Sequence, residues 1–364
     1  MSMRPDPEFF VSDPPVDPGP FFDSTDHAVN GMRALSIVLA SQELGIFNFC
    51  REPRVIRELA RSTGTDEALL AYLCEALVSL GLLVKNGEIL QDAHATSLFL
   101  TDDSPYSQVH YIRELGRHFH KLWVPLPEIM RNGPVVFEQE QFFRDYSLPA
   151  MADNAVSGRL QATVRTIASL PGFKDFRKMV DLGGGHGLYA IALAALNSAL
   201  EAFVFDLPMV IPTTNAYIEA YGADRVHAIA GNFFLDDFGK GYDLILSSSN
   251  PSGKSLELLP VIASALNEGG YFVNVQSPGG LAKNPLQVLE WEIWTFSGID
   301  KMKGGFTKEQ QFMTDEYRSS MEAEGLFIVV SEDIRDIYQK DACVKLVVAR
   351  KGPRRPALGD EPGR

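Results

Sequence analysis

One stretch, Met179-Val180-Asp181-Leu182-Gly183-Gly184-Gly185-His186-Gly187, limits the fold more than any other part of the chain. A short apolar run ends among glycines, and an apolar segment of helical length follows over residues 188–196. The glycines allow a tight reversal from strand to helix and let a ligand come close to the backbone. Further short apolar runs lie at 202–207, 226–230, 242–247, 270–275, 326–330 and 343–349. With 179–182 they predict a seven-stranded, mostly parallel sheet with intervening helices, an α/β domain over residues 171–352. The last two runs are close enough in sequence to pair antiparallel.

The glycine spacing separates two ligand classes. A dinucleotide fingerprint needs GxGxxG. Counted from Gly183 the last glycine falls on Leu188, and counted from Gly185 it falls on Ala190. The spacing present is Asp181-x-Gly183-x-Gly185-x-Gly187, with an acidic residue closing the first strand, as in S-adenosylmethionine sites. Asp206 closes the second strand, where a carboxylate can accept both ribose hydroxyls. A glycine turn without a ligand is the plainer alternative, disfavoured in this context.

The first part of the chain has another texture. Residues 1–22, rich in Pro and Asp, predict a flexible arm. From His27 to Gly45, Met32, Leu35, Val38 and Leu39 recur at helical spacing, and Ile37 and Ala40 widen the stripe. A well-buried helix is expected there. Helices near 55–62 and 65–80 follow, the second capped by Thr65 or Asp66, and then a hairpin turning at Asn86-Gly87. That order predicts a winged helix over residues 23–104. Its would-be recognition helix, 65–81, lacks Lys and Arg and carries Asp66, Glu67 and Glu75, a combination that repels phosphate. Packing against a second subunit is expected instead of DNA binding. Residues 105–170 predict bridging helices broken at Pro125, Pro127, Pro134 and Pro149, and 353–364 a disordered tail.

Composition narrows the function classes. With 364 residues and 45% hydrophobic content the chain can fill more than one core. A net charge of −14 disfavours binding to nucleic acid or an anionic membrane. Cys50, Cys74 and Cys343 are scattered, the start has no signal-peptide pattern, and no stretch reaches the roughly 18 apolar residues of a membrane span. A cytoplasmic protein is expected. The histidines form no metal-ligand spacing, so no metal site is expected.

On these residues the chain resembles the small-molecule O-methyltransferase family. The matches are Val180-Asp181-Leu182-Gly183-Gly184-Gly185-His186-Gly187, Phe205-Asp206-Leu207-Pro208, Gly231-Asn232-Phe233-Phe234 after the third strand, and Glu268-Gly269-Gly270 before the fifth. A weaker similarity to that family's winged-helix dimerisation domain extends the resemblance over about residues 24–351. The resemblance implies a Rossmann-like fold, a homodimer, a small-molecule acceptor, and S-adenosylmethionine as donor with S-adenosylhomocysteine as product. It implies donor binding by Asp181, Gly183, Gly185, Gly187, Asp206, Leu207, Asn232, Phe233 and Ser247. Asp206 would grip the ribose, while Asn232 and Phe233 flank the adenine. The family usually has Asp at the position of Asn232, and the Asn carbonyl can still accept a hydrogen bond from the adenine amino group.

The chain departs from the family after the fourth strand. A His-Asp-Trp-like segment usually follows there, its His acting as general base. This sequence has Ser247-Ser248-Ser249-Asn250-Pro251-Ser252-Gly253-Lys254, and no histidine occurs after His227. General-base help is worth roughly 10²–10⁴ in rate. A phenol of pKa near 10 is only about one part in a thousand ionised at pH 7. Either the acceptor is already nucleophilic, or another residue serves as base, or the donor is bound without methyl transfer. Candidate bases are His118, His120 and Glu290, with His110 beside them in the bridging helices. Trp291 and Trp294 are candidates for an acceptor pocket, although their helical spacing favours core packing. Lys254 would bind an anionic acceptor or lie exposed. The reading favoured is methyl transfer to a small, aromatic or conjugated acceptor by positioning. The alternatives are a donor-binding relative with other chemistry or a regulatory role, and a DNA-binding regulator.

Overall fold

The computed structural model describes residues 11–277, 285–297, 312–335 and 343–352. The 353–364 tail and the first ten residues of the expected arm lie outside them. The chain divides between Ser107 and Gln108 into two units.

In the first unit, α1 (Gly19–Glu43) starts inside the stretch expected to be a loose arm. Pro18 is its N-cap and Pro20 sits in its first turn, where a missing N–H costs nothing. The expectation that this helix is well buried fails in the single chain. Ser41 and Gln42 are its buried residues, Leu35, Val38 and Leu39 are half-buried, and Met32, Phe21 and Phe22 are exposed. After α2 (Ile46–Cys50), β1 (Arg54–Val55) and α3 (Ile56–Thr63) comes α4 (Glu67–Ser79). Asp66, one of the two expected caps, accepts the Leu69 N–H at 2.8 Å. Strands β2 (Leu83–Asn86) and β3 (Ile89–Asp92) pair Asn86 with Ile89, so the turn residues are Gly87 and Glu88, one step beyond the expected Asn-Gly. Gly87 at φ 62° takes the left-handed position that such a turn needs. β1 adds to β3 as a third strand, and α5 (His94–Phe99) ends the unit's helices.

The second unit opens with α6 (Val109–His118), α7 (Leu126–Asn132), β4 (Val135–Phe137), α8 (Gln139–Phe142), α9 (Leu148–Ala155) and α10 (Arg159–Ala168). The expected proline breaks fall at element starts: Pro125 caps α7, Pro134 precedes β4, and Pro149 lies in the first turn of α9. Then follow β5 (Lys178–Leu182), α11 (Leu188–Leu196), β6 (Glu201–Asp206), α12 (Ile211–Ala220), β7 (Val226–Ala230), β8 (Tyr242–Ser248), α13 (Leu259–Ala265) and β9 (Leu266–Gln276). After α14 (Pro285–Glu292) and β10 (Trp294–Phe296), the unit closes with α15 (Asp315–Ala323), β11 (Leu326–Arg335) and β12 (Cys343–Lys351).

Seven strands form one sheet in the order β11-β12-β9-β8-β5-β6-β7. The strands from β9 to β7 run parallel, and β12 pairs antiparallel with both β9 and β11. Alternation along the strands sends Met179, Ala202, Val204 and Leu244 to the face covered by α10, α11 and α12. Val180, Phe205 and Ile245 go to the face covered by α13 and α15. The Glu268-Gly269-Gly270 segment lies inside β9, where Gly269 at φ 78° accompanies a shift of register. Strand order reverses between β5 and β8, so the crevice at their carboxyl ends is where a sheet of this kind receives a ligand.

Candidate active site

The loop after β5 and the loop after β8 flank that crevice. Gly183, Gly185 and Gly187 take φ values of 65°, 54° and 73°, in the left-handed region that favours glycine. Space is as restrictive as conformation at Gly184. A Cβ there would lie 2.7 Å from the Asp181 carboxyl and 2.9 Å from Val204.

The loop is tied to its neighbours atom by atom. The Gly183 N–H extends the ladder to Phe205 O at 2.8 Å, and the Gly185 N–H donates to Asp206 Oδ2 at 2.8 Å. Asp206 Oδ1 accepts the Leu207 N–H at 2.7 Å, and Thr214 Oγ1 donates to Gly185 O at 2.6 Å. Burial raises the Asp206 carboxyl above its usual range, and the Gly185 and Leu207 N–H groups pull it partly back. Asp181 is wholly buried under the glycines, and neither carboxyl oxygen has a hydrogen-bond partner among the described residues. Burial, and then the charge of Asp206, push it well above the ordinary carboxylate range.

His186 packs inward against Tyr189 and Tyr217, and its Nδ1 accepts the Leu188 N–H at 3.1 Å. Burial and the nearby Arg159 lower its pKa to about 3, so it is a neutral part of the loop. Asn232, half-buried after β7, accepts the Phe234 N–H through Oδ1 at 2.9 Å. That leaves its carbonyl one lone pair for another donor. Phe233 packs against the core on the α13 side. The Ser247 hydroxyl is fully buried and committed to Ser252 Oγ at 2.7 Å and Asn250 Oδ1 at 3.2 Å.

Two residues that the sequence did not single out join the loops. Asn250 Nδ2 donates to Leu182 O at 2.7 Å, and its Oδ1 accepts the Ser252 N–H at 2.9 Å, bridging the ends of β5 and β8. Arg159, at the start of α10, reaches Ser249 Oγ at 3.5 Å and lowers the His186 pKa, so it lies beside both loops. Its Nε is buried with no hydrogen-bond partner among the described residues. A buried guanidinium donor without an acceptor is costly, which marks it for an anionic group. No spacing rule reveals such a residue, because it comes from a helix outside the glycine motif.

The candidate bases separate. His118 and Glu290 come together: His118 Nδ1 is 3.7 Å from Glu290 Oε1, and its Nε2 is 3.1 Å from Glu114 Oε1. Burial lowers the His118 pKa, but the two carboxylates outweigh it and hold the ring at about 9. A shift in that direction works against the neutral ring that a base near neutrality needs. Glu290 is bound as well, accepting the Trp123 Nε1–H at 2.9 Å. His120 is exposed, edge-on to Phe119. His110 lies 3.2 Å through Nδ1 from the buried Asp153 carboxylate. Trp294 is core: it is 6% exposed, stacks on Phe142 at 5.2 Å and belongs to β10, paired in parallel with β4. Trp291 is half-buried at the edge of the same aromatic cluster. Lys254 is half-buried, and its ammonium has no partner among the described residues. No group of three potential metal ligands occurs among the described residues.

The sequence profile of the O-methyltransferase domain matches residues 136–313. An uncharacterized protein of Methanocaldococcus jannaschii is 31% identical over 326 residues, 87% of each chain. The chain belongs to the O-methyltransferase family. It is also 25% identical to acetylserotonin O-methyltransferase of Macaca mulatta, over 68% of this chain and 78% of that one. The structure of human N-acetylserotonin methyltransferase in complex with S-adenosylmethionine superposes with a TM-score of 0.63 at 20% identity, covering 97% of this chain and 100% of that one. As a member of the family the chain is an S-adenosylmethionine-dependent enzyme with the mixed α/β fold expected.

Proposed function

We propose that this enzyme moves the donor's methyl group to a heteroatom of a small aromatic or conjugated acceptor, without the histidine base usual in its family. The observation that carries the reading is the crevice between β5 and β8: three left-handed glycines, a carboxylate at the end of β6, and the Arg159 guanidinium, whose buried Nε has no partner among the described residues. These groups suit a nucleoside joined to a charged amino acid. The Asp206 oxygens retain lone pairs for ribose hydroxyls, and Asn232 and Phe233 offer an acceptor and an apolar face for adenine. Arg159 Nε is a donor suited to the donor's carboxylate. When bound, the donor supplies an electrophilic methyl group on a sulfonium. The chain's part is to fix that group in line with the acceptor and to exclude water.

Support for an aromatic acceptor comes from the acetylserotonin named in the macaque relative. The exposed face of α1 and an apolar groove lined by Leu44, Leu69, Leu70 and Leu73 support pairing with a second copy through a winged-helix unit. A cytoplasmic location remains our reading. The test is incubation with methyl-labelled donor and a panel of phenols, amines and thiols. Label transferred to at least one of them is expected; tight binding of donor with no transfer to any would contradict methyl transfer.

A further inference from the structure

The segment after β8 holds a lysine that the site as described does not use. Ser249, at φ 57°, starts a short turn over Pro251–Gly253 that folds back across the strand ends. Gly253 is pinned through its carbonyl, which accepts from Asn274 Nδ2 at 2.6 Å and from the Tyr317 hydroxyl at 2.7 Å. A Cβ on Gly253 would lie 2.1 Å from Asn274 Oδ1 and 2.3 Å from Gln276 Nε2, so nothing larger fits. Asn250 locks the other end of the turn onto Leu182 O. Lys254 is the next residue, carried on this pinned turn after β8, whose Asn250 reaches the end of β5. Few lysines sit half-buried without a carboxylate beside them, since the charge then loses water and gains nothing.

Resting on the proposed methyl transfer, we propose that Lys254 is the base of this enzyme, its neutral amine taking the proton of the acceptor's hydroxyl. The amine nitrogen forms a bond to that proton while the oxygen's electron pair attacks the methyl carbon. The carbon–sulfur bond breaks, and its pair stays on sulfur as the thioether. Lys254 ends as an ammonium and returns its proton to water. Burial lowers its pKa below the usual lysine range, the direction that a neutral amine requires. Around the turn, β8 and β9 present Ser247, Asn274 and Gln276, which do not titrate. On α15 Tyr317 is held by burial above its usual range, and Glu257, farther along the same loop, is exposed.

Two measurements on the full-length protein test this, the first with S-adenosylhomocysteine bound and the second with S-adenosylmethionine as donor. The first is competitive acetylation of lysines across pH, read at the Lys254 peptide by mass spectrometry. Half-reaction at least about one pH unit below the exposed lysines is expected. Reaction at the ordinary lysine position, or no reaction at all, overturns the proposal. The second compares Lys254→Ala and Lys254→Arg, using whichever panel phenol is methylated. Both should lose roughly 10²-fold or more in kcat/KM, and added ethylamine should restore part of the activity of Lys254→Ala only. Retained activity in Lys254→Arg would mean that the charge holds an anion, and the base role would fall. If S-adenosylhomocysteine itself does not bind, the donor site fails first; normal binding with an ordinary Lys254 titration defeats the base alone.

Discussion

At the scale of single residues, the donor site stands on Asp206 and the charge cluster on His118. Asp206 already accepts from Gly185 and Leu207, and its remaining lone pairs are the ones assigned to ribose. Asp206→Ala should therefore cost about 3 kcal/mol of donor affinity, roughly a hundredfold in Kd, measured by calorimetry with S-adenosylhomocysteine. Unchanged affinity would remove the ribose role. His118 has a folded pKa of about 9 against an ordinary value near 6.5. A pKa raised by folding stabilises fully below the unfolded value, and that contribution disappears as pH rises through the folded one. His118→Gln should thus be less stable than the parent at pH 6, and the gap in Tm should close toward pH 10. A gap independent of pH would mean that His118 only fills space.

At the scale of elements, the sheet was legible because its strands are short apolar runs bounded by polar or glycine-rich turns. The observed strands begin and end close to those runs, and β7 coincides with one. What the pattern could not show depends on partners distant in sequence. Trp294 reads as helical beside Trp291, yet Trp294 and Phe296 alternate with Thr295 and pair with β4, more than 150 residues earlier. The apolar stripe of α1 implies burial, but its own unit leaves Leu35, Val38 and Leu39 only half-buried. Arg159 and Asn250 acquire meaning only when the loops meet. Local signals that depend on near neighbours did better, as at the Asp66 cap. Asp66→Ala should cost about 1 kcal/mol of stability, visible as a lower Tm. Gly184→Ala, forced against Asp181 and Val204, should weaken donor binding at least tenfold while far-UV circular dichroism keeps the helical signal. Wild-type binding by Gly184→Ala would show that the loop has slack it lacks on paper.

At the scale of the whole molecule, no helix among the described residues is long and apolar enough to cross a membrane, and the chain carries a net charge of −14. On α1 and α4, Phe21, Phe22, Leu69 and Tyr72 are each more than half exposed. Such a surface favours a second copy, and sedimentation equilibrium should give twice the chain mass, reduced toward one by Leu69→Glu. The most direct measurement remains titration of the full-length protein with S-adenosylhomocysteine. One site per chain is expected, with stabilisation of about 2.7 kcal/mol at a hundred times Kd and a matching rise in Tm. No heat and no change in Tm up to the solubility limit of that molecule would contradict the account at its centre.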